Sequence, residues 1–155
     1  MTVALSGKEI ASKIEEAIPQ TVTSVADGSI TVTSQHLFQV AKFLKETPSL
    51  EFDFLVNISG VDYLDYIEVV YHLVSLKHNH SLVLKTVCPD RDNPVVPSVV
   101  SLWRGADFLE REEYDLVGVR FEGHPNLKRI YLWEGFQGQP LRRDYLYWCS
   151  KPSPC

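Results

Sequence analysis

The sequence predicts an α+β protein in which N-terminal helices pack on a mostly antiparallel sheet, followed by a further helix and an irregular C-terminal tail. Two observations support this prediction. Apolar residues recur at helical spacing near the N-terminus, and three β-favouring runs follow one another closely in the middle of the chain. Short links between successive strands favour an antiparallel meander, and a layer of helices is needed to cover its apolar face.

The composition is that of a globular domain. A chain of 155 residues, 45% of them hydrophobic, is long enough to bury one core. Its formal net charge of −5 argues against a nucleic-acid partner, because a phosphate backbone is bound by a basic face. The sequence holds no apolar run of the roughly 18 residues that cross a bilayer, and its N-terminus lacks the pattern of a signal peptide. We therefore expect a cytoplasmic chain, which is still able to join a membrane-bound assembly.

The cysteines and histidines do not predict a metal or redox centre. Cys88, Cys149 and Cys155 are odd in number and far apart, which argues against a disulfide framework and against a cysteine-ligated metal. His78 and His80 lie in a polar link between two strand-like runs and are interpreted as part of a hairpin turn. We expect this chain to bind no cofactor and no metal of its own.

The first predicted helix begins after Ser6. Ser6 and Glu9 form a capping-box pattern, in which each side chain bonds the backbone amide of the other, and Pro19 stops the helix. The apolar face of this helix contains Ile10, Ile14, Ala17 and Ile18.

A hairpin and a second helix follow. Two short β-favouring runs flank Asp27-Gly28, which is typical of a hairpin turn. Ser34 is predicted to cap the second helix, which ends before Pro48. Its apolar face contains Leu37, Val40, Ala41 and Leu44.

The three central strands are predicted over residues 52–59, 66–76 and 81–87. Residues 89–97 are interpreted as a proline-rich connection. A third helix over residues 106–117 ends at Gly118, since glycine is common just beyond a helix C-terminus.

The tail that follows is rich in glycine and proline and also in aromatic residues. It has too little regular structure to bury its aromatic side chains by itself, so we predict that it lies along a partner. The chain is accordingly divided into an α+β domain over residues 1–122 and a partner-docking tail over residues 123–155. Its aromatic side chains are Tyr131, Trp133, Phe136, Tyr145, Tyr147 and Trp148.

The acidic stretch at the third helix has three interpretations. Glu110 or Glu113 with His124 resembles the acid–base pair of an enzyme such as a small hydrolase, but no nucleophile or phosphate-loop motif accompanies it. The same acids also suit a solvated helix face with local ion pairs, spread around the surface, or a docking surface.

A buried ion-pair cluster is a form of the last two interpretations. Arg111 and Arg120 are candidates to bind Glu112 or Asp115 with two hydrogen bonds each. We expect Arg111 or the nearby Arg129 to be held by carboxylates.

A long pattern then resembles one known family. Residues 110–130 read Glu110-Arg-Glu-x-x-Asp115-Leu-x-Gly118-Val-x-Phe121-x-Gly-His-Pro125-x-Leu-x-Arg129-Ile. Further on comes Gly138-x-Pro-Leu-Arg142-x-Asp-Tyr145. Together with matching residues upstream, these resemble the 30 kDa subunit, also called the C subunit, of respiratory complex I (NADH–quinone oxidoreductase).

The resemblance implies a structural role. Members of this family are α+β subunits of the peripheral arm at the cytoplasmic face of the membrane, and FMN, iron–sulfur clusters and quinone belong to their partners. They hold the D-type quinone-site subunit, which is similar to the large subunit of nickel–iron hydrogenases. Related complexes accept electrons from ferredoxin, from a deazaflavin or in hydrogenase-type reactions. The structural and interface residues that the resemblance implies are Glu110, Arg111, Glu112, Asp115, Gly118, His124, Pro125, Arg129, Trp133, Pro140, Arg142, Asp144 and Tyr145.

Overall fold

A computed structural model describes residues 2–145, so Cys149, Cys155 and the last predicted aromatic residues lie outside the described part of the chain. The elements are β1 (Val3–Ala4), α1 (Gly7–Ala17), β2 (Val22–Ala26), β3 (Ser29–Thr33), α2 (Leu37–Glu46), β4 (Phe54–Asp62), β5 (Ile67–Ser75), β6 (His80–Cys88), β7 (Val95–Pro97), α3 (Ala106–Leu116) and β8 (Arg120–Glu122). The predicted α+β class is confirmed.

The main sheet has the strand order β2-β3-β6-β5-β4, with β1 also paired to β6. Strands β4, β5 and β6 form the predicted antiparallel meander, and β2 and β3 form the predicted hairpin. Gly28 has φ +72° in the hairpin turn, a conformation that glycine adopts without steric cost. Strand β6 is central because it lies between β3 and β5 in this order. Strands β1 and β3 both run parallel to it.

The core lies between the sheet and the helices. Strand β5 buries Ile67, Val69, Tyr71 and Leu73 on one face, and residues 68 and 70 on its other face are buried as well, so the first half of this strand is covered on both sides. Helix α2 buries all four residues of its predicted apolar face. Helix α1 buries Ile10 and Ile14 but leaves Ala17 exposed. Burying one such aliphatic side chain stabilises the fold by about 1.5–3 kcal/mol, so the two amphipathic helices are held mainly by this packing.

The predicted helix caps are not formed. Ser6 makes no side-chain capping bond, and its carbonyl instead accepts from Ile10 N at 3.3 Å. Ser6 is exposed, so water can satisfy the first amides of α1. Residues 34–36 form a short 3-10 turn before α2. The residue before this turn, Thr33, forms a hydrogen bond through its Oγ1 with His36 Nδ1 at 2.9 Å. The second helix consequently begins at Leu37.

The two-stranded parallel sheet of β7 and β8 was not predicted from the sequence. Both strands are three residues long, and β7 ends in Pro97, so neither shows a recognisable alternating pattern. Val96 and Phe121 are buried at the centre of this pair. The pair places Ser98 and Val99 beside α3.

Among the described residues, no helix is long and apolar enough to cross a membrane.

Candidate functional site

Helix α3 carries three buried carboxylates. Glu110 and Asp115 have no exposed surface, and Glu113 is 8% exposed. The interpretation of these acids as a solvated helix face with local ion pairs is therefore wrong. Each carboxylate accepts hydrogen bonds from main-chain amides outside the helix, which sequence spacing along α3 alone does not reveal.

Glu110 fixes the turn that follows β7. Its Oε1 accepts from the Val99 amide at 2.7 Å, and its Oε2 accepts from the Ser98 hydroxyl at 2.7 Å. A buried amide left without an acceptor is costly, so this side chain stabilises a turn that no regular strand or helix supports.

Glu113 fastens α3 to the edge strand β4. Its Oε2 accepts from the Gly60 amide at 2.6 Å. A Cβ at position 60 would lie 2.7 Å from the same oxygen and 3.1 Å from Val117 Cγ1. A larger residue at position 60 would therefore displace the Glu113 carboxylate from the amide that it binds.

Burial raises the pKa of both glutamates from 4.5 to about 7. The hydrogen bonds from Ser98 and Val99 to Glu110, and from Gly60 to Glu113, act in the opposite direction and are outweighed.

Asp115 organises the start of the C-terminal segment. Its Oδ2 accepts from the amides of Ile130 (3.0 Å), Tyr131 (2.8 Å) and Leu132 (2.9 Å). Its Oδ1 accepts from Arg129 Nη1 at 3.0 Å. Burial alone would raise the pKa of Asp115, but these four hydrogen bonds together outweigh it and lower the pKa below its ordinary value.

The predicted partners of the arginines are partly wrong. Arg129 is held by a carboxylate, as expected. Arg111 is not: its Nε donates to the Lys128 carbonyl at 3.2 Å, and its guanidinium lies 5.7 Å from the Phe108 ring centre. Arg120 is exposed at the start of β8. Neither Arg111 nor Arg120 binds Glu112 or Asp115, because Asp115 is occupied by residues 129–132.

His124 comes close to one of the acids. Its side chain is fully buried, and its Nε2 lies 4.0 Å from Glu110 Oε2 and 3.4 Å from Asp107 Oδ1. Its Nδ1 accepts from the Asn126 amide at 2.9 Å, so the neutral ring carries its proton on Nε2. The structure thus brings Glu110 and His124 together, whereas Glu113 is bonded elsewhere. Both members of the pair are closed to solvent and bonded to main-chain groups.

A second cluster, of which only Asp144 was predicted from the sequence, lies at the C-terminal end of β4. Asp62 accepts from Arg91 Nε at 2.9 Å and Nη2 at 2.7 Å, and from the Arg143 amide at 2.9 Å. Arg91 also reaches Asp144 at 2.7 Å. Arg91 lowers the pKa values of Asp62 and Asp144. The position of Asp62 at the end of an apolar strand was the one sequence feature that pointed to this cluster. Its partners Arg91 and Arg143 are far away in the sequence, so the sequence does not reveal them.

The C-terminal segment is therefore tied to the domain at three places: residues 129–132 at Asp115, residues 141–142 at the end of α3, and residues 143–144 at Asp62 and Arg91. At the second place, Leu141 N donates to the Leu116 carbonyl at 3.0 Å, and Arg142 Nε donates to the Val117 carbonyl at 2.7 Å. Gly118, with φ +85°, lets the chain turn there.

Two aromatic residues in this segment remain largely uncovered. Tyr131 is 64% exposed and Trp133 is 68% exposed. The Phe136 ring packs edge-on against Trp133 at 4.8 Å, and the Arg129 guanidinium lies 5.8 Å from its centre. Arginine and aromatic residues of this kind dominate the energetics of protein interfaces. We call residues 129–145 the anchored segment.

The remaining predicted residues have simpler environments. Glu112 makes no side-chain hydrogen bond to the described residues. Pro125 directly follows His124, and Pro140 precedes Leu141, whose amide bonds the end of α3. The Tyr145 ring stacks on Phe136 with the ring centres 6.1 Å apart. Within residues 2–145, no group of three or more histidine, cysteine or acidic side chains is placed to hold a metal ion. Cys88 is buried, and burial raises the pKa of its thiol to about 11.

The fold has a counterpart in a solved respiratory assembly. It superposes on a chain in the structure of the membrane-bound sulfane sulfur reductase, an archaeal respiratory membrane complex, with a TM-score of 0.72. The two chains are 25% identical, and the match covers 91% of this chain and 86% of the other. The architecture is thus one that occurs in respiratory membrane complexes.

Sequence similarity makes the assignment narrower. The chain belongs to the family described as the 30 Kd subunit of respiratory-chain NADH dehydrogenase, whose pattern matches residues 30–147. The NADH-quinone oxidoreductase C subunit of Roseiflexus sp. (strain RS-1) is 41% identical over 92% of this chain and 85% of the relative. The C 2 subunit of the NADH-quinone oxidoreductase of Rhizobium meliloti (strain 1021) is 48% identical over 74% of this chain, which spans 63% of that relative. The family predicted from residues 110–145 is confirmed.

Proposed function

We propose that this chain is a structural subunit of the peripheral arm of a proton-translocating NADH–quinone oxidoreductase. In this role it supports the quinone-site subunit, which resembles the large subunit of hydrogenases, at the cytoplasmic face of the membrane. The observation that supports the proposal is the anchored segment. Its main chain is fixed by buried carboxylates, while Tyr131 and Trp133 stay exposed. A segment ordered before binding loses less conformational entropy on association.

The charge of the anchored segment indicates the kind of surface it fits. It carries three arginines (Arg129, Arg142 and Arg143) against Glu134 and Asp144, so it is weakly basic in a chain of net charge −5. An apolar partner surface edged by carboxylates would match it.

A second candidate is the equivalent subunit of a related complex that uses another electron donor, such as ferredoxin, a deazaflavin or a hydrogenase-type reaction. This candidate is supported by the structural likeness to a chain of the sulfane sulfur reductase complex. The two candidates place the same surface against a partner and differ in the donor module. Purifying the intact complex and assaying NADH oxidation distinguishes them.

The burial of the acid–histidine pair disfavours a free-standing hydrolase. Glu110 and the His124 side chain have no exposed surface, so a substrate cannot reach them in this conformation. The Ser98 hydroxyl donates to Glu110 and not to His124, which is the wrong arrangement for an activated nucleophile.

We further propose that the redox groups of the complex, including FMN, iron–sulfur clusters and quinone, are held by its partners. The pure chain is expected to contain no stoichiometric iron, zinc or flavin. Metal analysis and an absorbance spectrum test this expectation, and one equivalent of any of these groups per chain would contradict it.

The exposed aromatic residues give a direct test of docking. Trp133→Ala is expected to weaken association with the quinone-site subunit by about 30-fold, the effect of losing roughly 2 kcal/mol at an interface hot spot. The thermal midpoint of the isolated chain should change little, because Trp133 is mostly exposed. Co-expression followed by affinity measurement on the purified pair tests this prediction.

Leu76→Ala is a matched control, since Leu76 is 67% exposed but lies in the turn after β5, outside the anchored segment. Equal affinities for the Trp133→Ala protein and the wild type would contradict docking through this segment. Hydrogen exchange gives a second comparison: residues 133–140 should gain protection only in the complex.

A further inference from the structure

Glu110 and Glu113 are buried without a cationic partner. Among residues 2–145, no lysine or arginine lies within ion-pair distance of either carboxylate, and the nearest candidate is His124 Nε2, at 4.0 Å from Glu110. An ionised carboxylate in such a place loses its hydration without gaining a compensating charge. The two residues are three apart on α3, so they lie on the same side of the helix.

Apart from His124, the described titratable groups around the pair are acidic or neutral. On α3 itself, the charges of Asp107 and Glu112 act on Glu110 and Glu113 respectively and disfavour ionisation. Two further elements contribute titratable groups: His124 after β8 lies near Glu110, and Tyr71 on β5 interacts electrostatically with both glutamates and with Cys88 on β6.

Tyr71 is itself unusual. Its hydroxyl is buried and has no hydrogen-bond partner among the described residues. Burial raises its pKa well above the ordinary value, and the charges of Glu110 and Glu113 add to this rise. Its hydroxyl therefore stays protonated and neutral beside the two acids.

We propose that Glu110 and Glu113 form a proton-controlled fastening, which ties α3 to the β7 turn and to β4 more firmly when both carboxyls carry protons. The Ser98–Glu110 contact suits both states, because a hydroxyl that donates to a carboxylate can accept from a carboxyl group. The amides of Val99 and Gly60 donate to Oε1 of Glu110 and Oε2 of Glu113, and each bond persists when the other oxygen is protonated.

The direction of the pH effect follows from linkage. Both carboxyls have pKa values of about 7 in the fold, above the value of 4.5 for a free glutamate. Between these two values the folded state binds more protons than the opened state, so the fastening weakens as the pH rises. Its strength is greatest below about 4.5 and reaches a constant lower level above about 7.

The fastening reaches the anchored segment through α3. The same helix carries Asp115, which holds residues 129–132, and ends in the carbonyls that hold residues 141–142. Mild acidification should therefore hold this segment more firmly. That consequence depends on the proposed docking function, whereas the fastening itself does not.

Amide exchange of the full chain between pH 5 and 8 tests the fastening. After correction for intrinsic exchange, protection of the Val99 and Gly60 amides should fall by about tenfold per pH unit from pH 5 to 7 and then level off. Glu110→Gln should flatten the profile of Val99, and Glu113→Gln that of Gly60. The control Glu16→Gln, at an exposed position on α1, should leave both profiles unchanged.

A titration of the wild-type glutamate carboxyls by ¹³C NMR keeps the test decisive if a glutamine variant does not fold. Midpoints near pH 7 for two carboxyls are expected. Ionisation of both below pH 5, or pH profiles that are identical in the wild type and the folded glutamine variants, would overturn the proposal. Because no partner is needed, failure here is distinguishable from failure of docking.

Discussion

Asp115→Ala is expected to lower the free energy of unfolding by about 3–5 kcal/mol, as when one member of a buried charged cluster is removed. The substitution leaves the amides of Ile130, Tyr131 and Leu132, and the Arg129 guanidinium, without their acceptor. Water can replace it only if residues 129–132 detach from α3. We therefore expect both a lower midpoint in chemical denaturation and rapid amide exchange at residues 130–132.

Two variants make the test specific. Asp115→Asn keeps one acceptor oxygen and should show an intermediate loss. Glu112→Ala removes an acid from the same helix that makes no side-chain hydrogen bond to the described residues, and should change stability by no more than about 0.5 kcal/mol. If Asp115→Ala retained wild-type stability and wild-type protection at residues 130–132, the anchoring role of Asp115 would be wrong.

Asp62→Ala should have a comparable effect at the other end of the anchored segment. The Asp62 side chain is 2% exposed and accepts from Arg91 and from the amides of Leu64 and Arg143. Its loss should cost about 3 kcal/mol, since it leaves a charged group and two amides without their acceptor. Because the released chain contains Arg142 and Arg143, trypsin should cleave there much faster.

Asp65→Ala is the matched control, because Asp65 is an exposed acid three residues away. It should leave both stability and tryptic cleavage unchanged. A double substitution, Asp62→Asn with Arg91→Met, should recover part of the stability lost by Arg91→Met alone, since the buried carboxylate is then no longer unpaired. Lack of recovery would show that the loss comes from packing and not from charge.

The two kinds of carboxylate on α3 respond to pH in opposite ways. Asp115 has a lowered pKa, so its contribution is complete above the ordinary range of aspartate and is lost as the pH falls through its folded value. The contributions of Glu110 and Glu113 are lost as the pH rises towards about 7. The difference follows from the hydrogen-bond donors. Asp115 accepts four hydrogen bonds, including one from an arginine, whereas neither glutamate has an arginine or lysine partner among the described residues.

Sequence patterns were sufficient where local periodicity determines structure. The apolar face of α2 and the antiparallel meander of β4, β5 and β6 follow from spacings of about 3.6 and 2 residues, which the packing leaves intact. The end of α3 before Gly118 also follows from a local rule, because a residue with φ +85° favours glycine.

The candidate site depended on contacts that periodicity does not encode. Glu113 bonds an amide 53 positions away, and Asp62 bonds one 81 positions away. A charged residue on a helix is usually solvated, so its burial becomes visible only when the segments that donate to it are in place. The family resemblance implied structural roles for Glu110 and Asp115 but not for Glu113 or Asp62, and it did not show that main-chain amides donate to these carboxylates.

The parallel pairing of β3 with β6 has a consequence for synthesis of the chain on the ribosome. Residues 29–33 pair with residues 83–87, so about 50 residues must be made before the hairpin near the N-terminus gains its neighbour in the sheet. Until then, the apolar faces of α1 and α2 have no complete sheet to cover. The nascent chain exposes these faces to chaperones, and it can close its core only after His80–Cys88 leaves the exit tunnel.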